Sequence, residues 1–103
     1  MNPHDKPTIR EESEQWFTLS LQEITQTFGI TRATIIEIVD EGIIPMPTSA
    51  PEQWQFDNEA FTRIRTTLHL HRDLGVNLAG AALVLELMQE IEHLRALVGD
   101  EKV

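Results

Sequence analysis

Apolar residues recur at intervals of three and four over most of this chain, and glycine or proline stands between the periodic runs. The first run is Leu21, Ile24 and Phe28. That spacing puts three apolar side chains on one face of a helix. Ser20-Leu21-Gln22-Glu23 before it fits a capping box, in which hydroxyl and carboxylate satisfy orphan backbone donors reciprocally. Gly29 ends the run in a left-handed conformation that glycine adopts without steric cost. Thr31 caps a second helix with apolar positions at Ala33, Ile35, Ile38 and Val39, and Gly42 closes it. Two short helices joined by a tight glycine turn are the helix-turn-helix signature.

Strand signals flank this pair. Trp16-Phe17-Thr18-Leu19 is a β-prone run. Ile43-Ile44 and Trp54-Gln55-Phe56 are expected to pair as two short strands around an irregular loop set by Pro45, Pro47 and Pro51, forming a small β wing. Asp57 then caps a third helix, roughly Asn58 to Asp73, with Phe61, Ile64, Leu68 and His71 along one side.

Leu74-Gly75-Val76 breaks the chain, and Asn77 caps the last helix. Within it Val84, Leu87, Ile91, Leu94 and Val98 are spaced three, four, three and four, the spacing of a coiled-coil seam. Leu83, Leu85 and Met88 lie off that seam and are expected to face the body of the domain. The seam either folds back on the monomer or pairs with a second copy. Three short helices offer little surface to cover both sets, which favours a homodimer.

The pattern predicts a mainly α winged helix-turn-helix with a small β wing and a C-terminal dimerisation helix. A flexible N-terminal arm is expected over 1–15, a single domain over 16–98, and a tail over 99–103. Within the domain, 17–57 hold the helix-turn-helix and wing, 58–74 the third helix, and 77–98 the dimerisation helix.

Charge changes the meaning of this outline. The chain has 8 basic and 17 acidic residues among 103, a net charge of −9. Over 17–57 the only base is Arg32, against Glu23, Glu37, Asp40, Glu41, Glu52 and Asp57. A DNA reader neutralises phosphates with Lys and Arg, and that electrostatic contribution supplies most of its affinity. Such a surface disfavours nucleic acid and anionic membranes and favours a basic protein partner.

Other function classes find little support. Cysteine is absent, which removes disulfides, thiol catalysis and cysteine metal sites. His69 and His71, two apart on a helix, point nearly opposite ways, and His93 lies beside the seam, so no three-ligand metal site is expected. No glycine-rich phosphate loop or strained nucleophile serine is present, and the chain reads as a non-enzyme without cofactors. No signal peptide is evident at the N-terminus, and the longest mainly apolar stretch, Val76 to Met88, is too short to span a bilayer. A cytoplasmic protein is expected.

The second helix carries the candidate site. Glu37 and Glu41 are four residues apart and share a face, with Asp40 adjacent. They form either a solvated acidic face or a partner-binding one. Ile36 is either a core residue or an apolar centre rimmed by these acids. Trp54 is either a surface anchor or the residue that packs the wing onto the core.

These residues resemble a known family. Leu19 to Phe28, Gly29-Ile30-Thr31, Ala33 to Val39 and Glu41-Gly42-Ile43-Ile44 resemble the N-terminal half of MerR-type regulators. Trp54-Gln55-Phe56-Asp57 is similar to the end of their wing, and Leu70 to Leu78 to their junction with the dimerisation helix. The chain departs from MerR-type DNA readers where function is decided. Ile36-Glu37 stands where they carry an Arg-Tyr pair, and Gln53-Trp54 where they carry Tyr-Arg. Isoleucine cannot replace an arginine on phosphate without losing both its charge and its fork of donors.

A closer resemblance is to the chaperone-modulator CbpM family, carried by Trp54-Gln55-Phe56-Asp57, Leu70-His71-Arg72-Asp73-Leu74, Gly80-Ala81-Ala82 and the run Leu85 to Leu94. The resemblance implies a MerR-like fold and a protein that binds the J-domain of a DnaJ-like (CbpA-type) co-chaperone and inhibits it. Helix II of J-domains is basic and meets Hsp70, so an acidic adaptor would compete for that surface. On this reading Ile36, Glu37, Asp40, Glu41 and Trp54 meet the partner, and Val84, Leu87, Ile91, Leu94 and Val98 hold a homodimer. The alternative is a MerR-like transcriptional regulator that touches DNA through Arg63, Arg65 and Arg72.

Overall fold

The computed structural model of the chain describes residues 17–99. The arm expected over 1–15, Trp16, and residues 100–103 of the tail lie outside the described residues. In chain order the elements are β1 (Thr18–Ser20), α1 (Leu21–Phe28), α2 (Arg32–Asp40), a 3-10 turn (Pro51–Gln53), β2 (Gln55–Asp57), α3 (Asn58–Leu74) and α4 (Leu78–Leu97). The fold is mainly helical with a two-stranded antiparallel sheet.

The caps read from the sequence are present. The Glu23 N–H donates to Ser20 Oγ at 3.1 Å, and Glu23 Oε1 accepts from the Ser20 N–H at 2.8 Å, which closes the capping box of α1. Gly29 ends α1 at φ 66°. Thr31 accepts from the Thr34 N–H at 3.1 Å to start α2. Beyond α2 the chain turns at Gly42, φ 82°, while the Gly42 and Ile43 N–H groups return to the Val39 and Ile38 carbonyls at 2.9 and 3.3 Å. Asp57 caps α3 through the Ala60 N–H at 2.8 Å, and Asn77 caps α4 through the Gly80 N–H at 2.7 Å.

The sheet is not the expected hairpin. β2 pairs with β1, in the register Thr18↔Asp57, Leu19↔Phe56 and Ser20↔Gln55, whereas Ile43-Ile44 forms no strand. Ile43 and Ile44 are consecutive and both buried. A strand sends neighbouring side chains to opposite faces, so a surface hairpin would have exposed one of them. The Ile43 carbonyl also accepts from Arg63 Nε at 2.6 Å, and Pro45 has no N–H to give a ladder. The β-prone run ahead of α1 takes the place of the missing strand.

The core joins Ile24 of α1, Ile35 and Ile38 of α2, Ile43, Phe56 of β2 and Ile64 of α3, all fully buried. Ala60, Thr67 and Leu68 complete the buried face of α3. His71, expected on that face, is exposed instead. It lies in line with Ile64 and Leu68, but at its level, where the chain reverses at Gly75, φ 71°, Leu70 and Val76 are the residues packed against the core. Its Nδ1 lies 2.9 Å from the Val76 carbonyl, across the turn.

α4 leaves the body early. Ala81 and Leu85 are buried, and every residue from 86 to 98 is exposed. The expectation that Leu83, Leu85 and Met88 all face the body holds only for Leu85. Leu83 is 55% exposed, because two residues along a helix turn the side chain through about 200°. Met88 is 50% exposed although it lies near the side of Leu85, because it falls one turn past the end of the body.

Candidate protein-binding face

The acids of α2 lie where a helix by itself disfavours them. Glu37 and Glu41 are a like-charged pair at i,i+4, a spacing that opposes helix formation by about 0.2–0.5 kcal/mol. Asp40 and Glu41 stand at the C-terminal end of α2, against the negative end of its dipole, and no basic residue occupies its last turn. All three side chains are exposed, and none has an ion-pair partner among the described residues. A cationic partner would relieve every one of these unfavourable terms.

Tertiary structure supplies the second wall. Glu37, Asp40 and Glu41 line one shallow surface groove with Asn77, Leu78 and Ala79 at the start of α4. The sequence presents Asn77 as a helix cap and Leu78 as part of the junction, neither as a site residue, and about 40 positions separate these three from the acids. Only the reversal at Gly75 sets them opposite α2.

Ile36 and Trp54 are not part of that groove. Ile36 is half-buried and packs against the core, on the flank of α2 beside Asp40. Trp54 is 6% exposed, its indole stands edge-on to Phe56, and its Nε1–H donates to the Ser49 carbonyl at 3.2 Å. Of the two roles open to Trp54, the structure gives it the core one. The ring packs with Phe56, and the Ser49 carbonyl supplies the partner that a buried indole N–H needs. Trp54 offers no exposed anchor.

The single base of the helix-turn-helix and loop is already engaged. Arg32 on α2 forms an ion pair with Glu52 in the 3-10 turn. Glu52's own backbone N–H and then the Arg32 charge hold its carboxyl below the ordinary glutamate range against an opposing desolvation, with the Arg32 hydrogen bond adding to the lowering. Arg63 is also engaged, by the Ile43 carbonyl. Arg65 and Arg72 remain on the outer side of α3, with Arg65 over the Phe61 ring at 5.9 Å. Among the described residues no group of three or more His, Cys, Asp or Glu gathers as a metal site would require, and no helix is long and apolar enough to cross a membrane.

The second half of α4 presents an uncovered apolar stripe. Leu87, Ile91, Leu94 and Val98 of the expected seam are exposed by 49% to 67%, whereas Val84, at the edge of the body, is half-buried. Leu83 joins the stripe on helical geometry, and Leu97 widens it. Within the described residues nothing folds back over it.

The profile of the MerR HTH family regulatory proteins matches residues 19–100. The chain is 37% identical over 76 residues to the chaperone modulatory protein CbpM of Coxiella burnetii (strain Dugway 5J108-111), covering 74% of this chain and 72% of that protein. It is 37% identical over 78 residues to the chaperone modulatory protein CbpM of Pseudomonas putida (strain W619), covering 76% of this chain and 77% of that one. The chain belongs to the CbpM family of MerR-type proteins. No solved structure matches it. The family match runs over the helix-turn-helix, the loop after it and the long last helix, and on this frame the chain carries acids at the end of α2.

Proposed function

We propose that this chain is a chaperone modulator that binds the J-domain of a DnaJ-like co-chaperone and inhibits it by occlusion. The groove between α2 and α4 carries the reading. Three carboxylates without cationic partners among the described residues line one side of it, and Asn77, Leu78 and Ala79 offer a mixed polar and apolar wall on the other. A basic helix laid in that groove neutralises Glu37, Asp40 and Glu41, while its apolar stems rest on Leu78 and Ala79. Helix II of a J-domain has that chemistry, and a J-domain so covered has no free surface for Hsp70. Ile36 supports the groove from the flank of α2 and does not form its centre.

The name shared by the relatives, chaperone modulatory protein, supports the same reading. The stripe on α4 supports a homodimer, which would carry two grooves. A DNA-reading role has less support, because Arg32 is held by Glu52 and the exposed end of α2 is acidic.

Calorimetric titration with the isolated J-domain of the cognate co-chaperone tests the proposal. The expected result is saturable binding that weakens as salt rises, lost on combined Glu37→Lys and Asp40→Lys substitution with the circular-dichroism spectrum unchanged. Undiminished binding by that folded variant would remove the groove from the interface, and no binding by the parent chain at low salt would remove the J-domain.

A further inference from the structure

A second groove, opposite in character to the first, runs along the outer side of α3 beside the end of α1. Phe28, Arg65, Leu68, His69, Arg72 and Asp73 line it. Phe61, Arg65, Leu68 and Arg72 follow one another at intervals of four, three and four, so they form a single ridge along the helix. The two arginines are seven residues apart, just under two turns, which separates them by about 10 Å along the axis. Buried Leu68 stands between them, and with half-buried Phe28 it gives the groove an apolar floor. At one end the Phe61 ring meets Phe28 at 4.8 Å, and Arg65 lies over Phe61 at 5.9 Å.

The charges in this groove are not balanced within the chain. His69 Nδ1 lies 2.7 Å from Asp73, which engages that carboxylate. Arg65 and Arg72 are exposed and have no carboxylate partner among the described residues. An open arginine ridge on a chain of net charge −9 fits an anionic partner.

The spacing selects the form of that partner. A helix laid alongside α3 has the same pitch, so carboxylates seven residues apart on it stand opposite both arginines. Apolar residues three and four positions after its first carboxylate then fall between the pairs, over Phe28 and Leu68. A second copy of this chain does not supply such a helix, because among the described residues no α-helix carries two acids seven apart. Glu37 and Glu41, like Glu86 and Glu90, are one turn apart and reach only one arginine at a time. A nucleic acid fits less well, because its phosphates have nothing to place on the apolar floor and meet Asp73 in the lining.

We infer that this groove binds an acidic amphipathic helix of a second protein, whose carboxylates seven residues apart pair with Arg65 and Arg72 while its apolar side chains cover Phe28 and Leu68. Charge-assisted Arg–carboxylate bonds set the register, and the apolar floor adds affinity that exposed ion pairs alone lack. The chain then has two docking faces of opposite sign, one on α2 for a basic partner and one on α3 for an acidic one. The second face does not depend on the J-domain reading of the first.

The probe is a fluorescein-labelled, alanine-based helical peptide with glutamates seven apart and leucines three and four positions after the first glutamate. A control peptide has the same composition with its glutamates five apart, which puts them on different faces. With the full chain, the expected result is a saturable anisotropy change for the first peptide and about tenfold weaker binding for the control. Arg65→Gln/Arg72→Gln should weaken the first peptide to the level of the control, whereas Glu37→Lys/Asp40→Lys should not weaken it. Amide NMR shifts should centre on Phe28 and residues 61–72. Equal binding of the two peptides, no binding at low salt, or shifts centred on the α4 stripe would overturn the inference. So would a short DNA duplex that binds more tightly and moves the same amides, because the groove would then take phosphates.

Discussion

Arg32 and Glu52 are ion-paired across 20 positions of sequence, joining the start of α2 to the 3-10 turn of the 43–54 loop. The pair fastens the loop that replaces the wing hairpin, and it neutralises the one cation that residues 17–57 could offer a nucleic acid. A structural tie and an electrostatic exclusion thus rest on the same two side chains.

Acid should loosen this tie at a lower pH than an ordinary glutamate would allow. Glu52's backbone N–H and Arg32 lower its folded pKa, so the pair's contribution is fully present above the unfolded value of about 4.3. It is lost as pH falls through the lower folded value. Both side chains are more than half exposed, so the contribution to global stability is small and screened by salt. Carbon-detected NMR titration should place the Glu52 midpoint below the peptide value, and Arg32→Gln should move it back up. A midpoint indifferent to Arg32 would remove the pair as a cause.

Trp54 should behave as a core residue. Trp54→Ala is expected to cost about 3–5 kcal/mol in urea unfolding, the range for a large buried aromatic. Trp54→Phe should cost less and leave affinity for the partner unchanged in the molecules that remain folded. A Trp54→Ala chain that is fully stable but binds poorly would return Trp54 to the surface.

The caps should carry measurable stability. Asp57→Ala leaves the Ala60 N–H without its side-chain acceptor at the start of α3, and a loss of about 1 kcal/mol is expected. Ser20→Ala should cost a comparable amount at α1. The urea midpoint should fall with no change in its slope, and an unchanged midpoint in both variants would show that neither cap contributes.

The stripe on α4 should govern assembly and leave the body intact. Leu87→Glu with Leu94→Glu is expected to convert a homodimer to monomer in sedimentation equilibrium while the melting temperature of the residual domain stays close to its parent value at matched monomer concentration. Both positions are about half exposed in the single chain, so a charge there disturbs little packing. A parent chain that is monomeric at high concentration would end the dimer proposal.

Much of this architecture is written in short-range pattern. The helix starts at Ser20, Thr31, Asp57 and Asn77 follow from one side-chain acceptor reaching a backbone N–H three residues ahead, and the turns at Gly29, Gly42 and Gly75 follow from positive φ. Both are local events, so the sequence carries them openly. The strand partner was not legible. Ile43-Ile44 and Thr18-Leu19 are both β-prone, and burial of two consecutive isoleucines, decided by the whole core, excluded the first.

The sequence by itself determined the caps and turns, the acidity of α2 and the apolar seam near the chain's end, because each depends on residues within one or two helical turns. Tertiary structure alone decided that Trp54 is buried, that the body ends short of Met88, and that Asn77, Leu78 and Ala79 stand across a groove from Glu37, Asp40 and Glu41. The first depends on how the 43–54 loop closes over Phe56 and the other two on which surfaces meet after the chain reverses at Gly75, and no periodicity along a single helix encodes those meetings.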